Sequence, residues 1–305
     1  MGKDRKNEKG MVLLIVLLVV TLLMTLLVEF SFSTLVDLRL AETFRDTVRA
    51  EQLAKGGIRV GRMILQDDNN SYDGPNEDWA QGIEQYPVAD GTVSIRATDL
   101  GGRFDLNRLV TPQGNIDPLF KDRYLALLDL LGADDPVVLT DSLIDWLDPD
   151  DLSEPNGAEE RYYRSLETPY NCNNRALSSL EELVLIRGYN RKLISLLRPH
   201  VTVFGSAKVN VNSASSELLQ ALVPQMDAVA AETIIEARRQ EPFTRLEELK
   251  ELPGMESLYG FVYLYLDVKS SSYRIESTAS VNDGHRTIVA TVDKNGDRTL
   301  YTRVL

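Results

Sequence analysis

Seven carboxylates fall within eighteen residues of this 305-residue chain, in the run Leu143-Ile-Asp-Trp-Leu-Asp-Pro-Asp-Asp-Leu-Ser-Glu-Pro-Asn-Gly-Ala-Glu-Glu160. Carboxylates this close repel one another unless protons, basic side chains or a metal compensate them. Calcium suits such a run, because it takes roughly six to eight oxygen ligands on a backbone loose enough to wrap it. Asp148, Asp150 and Glu159 stand at the spacing of positions 1, 3 and 12 of a calcium loop. Leu152 and Ser153 fill the fifth and sixth positions, where an EF-hand needs an oxygen ligand and a glycine, so this is not an EF-hand. An irregular calcium site and a solvated acidic loop both stay open on composition alone.

No other constellation points to catalysis. Cys172 is the single cysteine, which rules out an intrachain disulfide, and His200 and His285 are the only histidines. Gly56, Gly57 and Gly61 do not form a G-x-G-x-x-G, and there is no P-loop or nucleophile elbow. The carboxylates lie in one loop with no opposing acid across a cleft, the arrangement a glycosidase-type hydrolase needs. The expectation is a protein that is not an enzyme. Net charge is −13, and it is uneven: the first ten residues carry +2, residues 11–28 carry none and the remainder carries −15. Such acidity opposes a broad phosphate-binding surface, so no nucleic-acid partner is expected. It fits basic protein partners or divalent cations.

The elements that must carry this loop begin at the N-terminus. Residues Met11 to Val28 are uncharged, and at ~1.5 Å per residue their helix is ~27 Å long, close to a bilayer core of ~30 Å. The basic flank predicts a cytoplasmic N-terminus. No convincing A-x-A cleavage site follows, Ser31-Phe32-Ser33 being a poor one. Leu40, Phe44 and Val48, then Leu53, Gly57, Val60 and Ile64, continue a helical stripe, so one helix is predicted from about 11 to about 66. Asp67 to Pro75 is turn chemistry that ends it.

Period-two alternation predicts strands at Gly91–Thr98, Tyr273–Val281, Thr287–Val292 and Thr299–Val304, with a hairpin turn at Asn282-Asp283-Gly284. The span between the first and second of these reads as helical. An α-rich insertion into a small α+β unit explains that order. Within it Leu180-Glu-Glu-Leu183 and Gly188 recur as Leu246-Glu-Glu-Leu249 and Gly254, at a constant offset of 66. Asn107 and Asn212 mark the starts of the two copies. Asn212 and Ser213 are expected caps for a helix over 216–222, and Asp227 for one over 228–239. The first copy carries about thirty extra residues, from Leu147 to Ala176, and these contain all of the acidic run's carboxylates except Asp145. The second copy resembles helix-hairpin-helix modules, but one hairpin lacks glycine and Glu256 stands where a phosphate would bind.

A basic leader ending in Gly10, ahead of a long apolar helix, resembles the signal of type IV pilins and type II secretion pseudopilins. The resemblance implies peptidase cleavage after Gly10 and methylation of Met11; an uncleaved signal anchor is the alternative. Ile15 stands where most pilins have glutamate, a substitution typical of the K-type minor pseudopilins (GspK) of type II secretion. Arg103-Phe-Asp-Leu-Asn107, Leu143 to Asp150, Gly157 to Glu160 with Tyr162 and Tyr163, Pro169-Tyr170, Asn174-Arg175 and Val209 to Asn212 are similar to that family, in the same order.

What the resemblance implies is a pilin-like α+β fold, a long N-terminal helix on a small antiparallel sheet, with a large α-helical insertion holding two helix-hairpin-helix/SAM-like repeats. The expected divisions are a leader at 1–10, membrane helix at 11–28, periplasmic helix at 29–66, pilin-like unit at 67–102 and 268–305, and insertion at 103–267, its repeats at 103–208 and 209–267. The family's calcium site would fall on Asp148, Asp150, Asp151, Glu159 and Glu160, with Asp145 a weaker ligand candidate. Cys172 stands where the family usually has threonine. Implied partners are the I-type and J-type minor pseudopilins, the major pseudopilin, the prepilin peptidase and the inner-membrane assembly platform, with secreted substrate or the outer-membrane secretin as further contacts. The expected role is at the pseudopilus tip, priming assembly for export of folded proteins, from a single-pass inner-membrane anchor with the C-terminal part in the periplasm. The alternative is a DNA-binding pseudopilin of a competence system.

Overall fold

The computed structural model describes residues 4–296 and 298–305, with side chains from Gly10 onward. Helix α1 runs unbroken from Asp4 to Asp67, about 96 Å at ~1.5 Å per residue, and so begins earlier than the apolar run itself. Its apolar stretch is wholly exposed; among the described residues this helix alone is long and apolar enough to cross a bilayer. From Asp46 onward one face is covered by a sheet.

After the short helix α2 (Asp78–Gln81) come β1 (Ile83–Val88) and β2 (Gly91–Asp99), and after the insertion come β7 (Ser272–Val281), β8 (Gly284–Asp293) and β9 (Arg298–Val304). They form one antiparallel sheet in the order β1-β2-β7-β8-β9. Alternate residues of β7 (Tyr273, Ile275, Ser277, Ala279) are buried, so the period of two read from the sequence is the pleat of this sheet. Gly57 and Gly61 let α1 approach closely. A Cβ on Gly57 would strike the Ser277 hydroxyl, and one on Gly61 would lie 2.8 Å from Ile275 Cγ2. The β7–β8 turn places Asn282 at φ 47, and the Asn282 amide donates to Asp46 Oδ2 at 3.0 Å, pinning the hairpin to α1. Strand β1 was absent from the sequence reading; Gln85 at φ 48 and the bulge between Ile83 and Tyr86 break its alternation.

The insertion has a separate, larger core. Its elements are β3 (Phe104–Asp105), α3 (Pro118–Leu130), α4 (Pro136–Leu147), α5 (Glu160–Arg164), α6 (Arg191–Leu197), β4 (Val201–Thr202), β5 (Val209–Asn210), α7 (Ser216–Leu222), α8 (Ala228–Gln240), α9 (Tyr259–Tyr265) and β6 (Leu266–Asp267). Two Leu-Glu-Glu-Leu segments form 3-10 turns, Leu180–Leu185 and Leu246–Glu251, and each is followed by a glycine at positive φ, Gly188 and Gly254. The stretch expected to be helical throughout also contains four two-residue strands, paired in parallel as β3 with β4 and β5 with β6. Two-residue pairings leave no periodic signal to read.

The expected caps need one correction. Ser215, not Asn212 or Ser213, caps α7 by accepting from Leu218 N at 3.2 Å, while Asp227 caps α8 as expected. The Asn212 amide is a buried clasp instead. It donates to the carbonyls of Asp73 and Phe243 and accepts from Phe243 N, and Asn107 makes the same kind of clasp with Leu177 and Val203.

Candidate metal centre

Asp141, Asp145 and Asp148 follow one another at i, i+4 and i+7, so α4 and its C-cap present three acids on one face, and all three are buried. The loop 149–159 folds back over that face. Asp145 Oδ1 accepts from Glu154 N at 2.9 Å, and Asp141 Oδ2 accepts from the Asn156 backbone and side chain. Gly157 permits this return, because a Cβ there would collide with the Asp145 carboxylate. Glu159 then caps α5 by accepting from Glu160 N.

The loop's charges are compensated unequally. Lys121 Nζ lies 2.8 Å from Asp141 Oδ1 and 2.7 Å from Glu154 Oε2. Glu160 is paired with Arg164 through Oε1 and accepts from Cys172 N at 2.7 Å through Oε2, so both its oxygens are already engaged. Asp145, Asp148 and Glu159 have no basic partner among the described residues. One oxygen of each (Asp145 Oδ2, Asp148 Oδ1, Glu159 Oε1) is buried with no donor. Burial, reinforced by neighbouring acids, raises Asp148 and Glu159 to about 7 and Asp145 to about 6.

Asp148, Asp150 and Glu159 each offer an oxygen, all within 4.8 Å of one another. Oxygens on one calcium ion lie ~2.3–2.6 Å from it and so no more than about 5 Å apart, and this trio meets that limit. Of the five candidates named from the sequence, the fold therefore gathers three. Asp151 is exposed and sits 3.4 Å from the Asn174 amide, and Glu160 is committed to Arg164. Asn174 went unread as part of this site. At φ 47 it donates to Asp150 O at 3.1 Å, and its own Oδ1 is buried without a donor. Cys172 is half-buried, its thiol 3.4 Å from Asp145 O and pushed up to about 12 by burial. Orphaned oxygens, raised acids and a hard-oxygen donor set fit a calcium ion.

A second acidic group, Asp68, Asp73 and Glu77, meets the same distance limit but is already satisfied. Lys294 reaches Asp68 at 2.7 Å and Asp73 at 3.1 Å. Tyr273 and Ser270 N donate to Asp73, and Gly74 N and Trp79 Nε1 donate to Glu77. At the anchor, Gly10 and Met11 lie within α1, and Ile15 presents an exposed apolar side chain.

Two family models, both described as type II secretion system protein K, match residues 102–206 and 209–268. Type II secretion system protein K of Aeromonas hydrophila is 30% identical over 299 residues, covering 91% of this chain and 90% of that protein. The protein K of Pseudomonas aeruginosa is 29% identical over 308 residues, covering 96% and 91%. A crystal structure of the GspK–GspI–GspJ complex from enterotoxigenic Escherichia coli contains a chain of the same fold. It has a TM-score of 0.69 and 19% identity, with 89% of this chain and 99% of that one covered.

Proposed function

The chain belongs to the type II secretion system protein K family, and on that premise we propose that this minor pseudopilin occupies the tip of the pseudopilus, priming its assembly with I- and J-type partners. The observation that carries this reading is the large helical insertion, residues 103–267, mounted on a pilin-type helix and sheet. A shaft built by packing N-terminal helices leaves little lateral room, and a body of this size fits where no subunit lies above it. Ile15 supports the same place. A carboxylate in the apolar segment costs ~2.5–3.5 kcal/mol unless paired, and an end subunit has no neighbour above to pair with it.

We read α1 as a single-pass inner-membrane anchor, with peptidase cleavage at Gly10, methylation at Met11 and the body in the periplasm. The insertion is read as two helix-hairpin-helix copies, the first enlarged by the acidic loop. Asp148, Asp150 and Glu159 would hold a calcium ion, with Asp145 and Asp151 beside them. The ion would supply positive charge where burial and repulsion otherwise oppose ionisation, ordering the loop 148–160. The work done is assembly, not catalysis.

The test is light scattering on size-exclusion-purified mixtures of the detergent-solubilised full chain with its cognate I- and J-type subunits in calcium. A stable 1:1:1 species is expected. Three folded proteins that do not associate would remove the tip reading. Duplex DNA at low salt should give no gel shift, because acidic residues occupy the hairpins where phosphates would bind.

A further inference from the structure

In a protein of net charge −13, four guanidinium groups converge on one cleft between the insertion and the sheet. Arg274 on β7 and Arg303 on β9 come from the sheet face turned away from α1; Arg103 and Arg198 come from the insertion. Among the described residues Glu181 is the one carboxylate side chain lining it, shared between Arg198 at 3.3 Å and Arg303 at 3.6 Å on the same oxygen, while Arg274 pairs with Glu276 beside the cleft at 3.2 Å. Arg103 donates only to Arg198 O, at 3.2 Å, and has no carboxylate within ion-pair distance among the described residues. These contacts are longer than the ~2.7–2.9 Å of tight charge-assisted bonds, so the cluster is held loosely. Burial first, then the charges of Arg274 and Arg198, lower the pKa of Arg103, with Asp99 acting in the opposite sense.

The cleft holds about 110 Å³ and is walled by Phe204 stacked obliquely on Tyr301, their ring centroids 6.4 Å apart. That is room for one side chain, well short of the ~300 Å³ at which ordinary cofactor sites begin. Beside it β9 forms one edge of the sheet, with no strand on its outer side among the described residues. A segment added along that edge would turn alternate side chains toward the face that carries Tyr301 and Arg303.

We propose that this arginine cleft is a docking socket for an aspartate or glutamate on an extended segment of a partner protein. The carboxylate seats between Arg103 and Arg198, where it meets planar donors suited to bidentate contact, and its methylenes lie against Phe204 and Tyr301. Glu181 acts as the internal competitor for the same guanidinium groups. The socket holds whichever place the chain takes in the filament.

The experiment is fluorescence anisotropy of a labelled Glu-Val-Glu-Val-Glu peptide with the full chain in detergent micelles at low salt. Binding is expected. It should weaken about tenfold or more in Arg103→Ala/Arg198→Ala and with the Gln-for-Glu peptide, and tighten several-fold in Glu181→Gln. The Glu181→Gln gain guards against misreading an arginine variant that fails to fold. Failure of the unsubstituted chain to bind the peptide overturns the proposal, as does equal binding of the Gln peptide. Displacement by inorganic phosphate or an oligonucleotide as readily as by unlabelled peptide also overturns it, making the cleft a general anion site.

Discussion

Asp148 and Glu159 pay for their burial with raised pKa values of about 7, and this has two consequences of opposite sign. Without metal, an acid whose folded pKa exceeds its unfolded value of roughly 4 stabilises the fold by holding its proton. That contribution is lost as pH rises through about 7, so the metal-free chain should melt at higher temperature at pH 5.5 than at pH 8. Calcium needs the deprotonated acids, so its affinity should fall over the same range as pH drops, by up to about tenfold per carboxylate per pH unit below 7. Calorimetric titration at pH 8 and pH 6 checks the second sign, thermal unfolding in chelator the first. Asp148→Asn and Glu159→Gln should each weaken calcium binding at least about tenfold while leaving the chelated protein as stable or more so, since each removes a buried, unpaired charge. Glu160→Gln should leave affinity nearly unchanged because its carboxylate serves Arg164 and Cys172 N. Carboxylate density was visible in the sequence. Which acids had basic partners was not, because Lys121 reaches Asp141 and Glu154 across twenty and more residues of chain.

The elements divide by how local their causes are. The long helix, the alternating strands β2, β7, β8 and β9 and the helices α7 and α8 were legible, since an apolar period or a nearby cap fixes each of them. Strand β1 was not, because a residue at positive φ and a bulge interrupt it, and the two-residue parallel strands are too short to show any period. The asparagines teach more. Asn107 and Asn212 are recognisable by position as the starts of the two copies, and Asn212 is expected as a helix cap, whereas each ties two distant chain segments together. Asn212→Ala would leave the Phe243 N–H and C=O without their Asn212 partners, while the Asp73 carbonyl keeps the Asn210 amide, so a loss of about 1–3 kcal/mol is expected, read as a lowered denaturation midpoint. Gly61→Leu should push α1 off Ile275 and lower stability by at least about 1–3 kcal/mol, while Gly56→Ala, in open space, should cost nothing.

At the scale of the molecule, a buried polar seam joins the sheet to the insertion. Asn210 donates to Asp73 O, Asp99 and Ser270, and Asp99, pushed up by burial, also accepts from Ser213 and Gly101 N. These contacts connect the anchor helix's sheet to the acidic loop's domain through satisfied hydrogen bonds, which suits a head that must keep its orientation on a filament. The tip assignment makes a spatial claim, and location is its most direct test. Pseudopili assembled with an epitope-tagged copy of this chain should be imaged by immunogold electron microscopy. Gold at one end of each filament is the expected result. Gold distributed along the shaft would contradict the assignment.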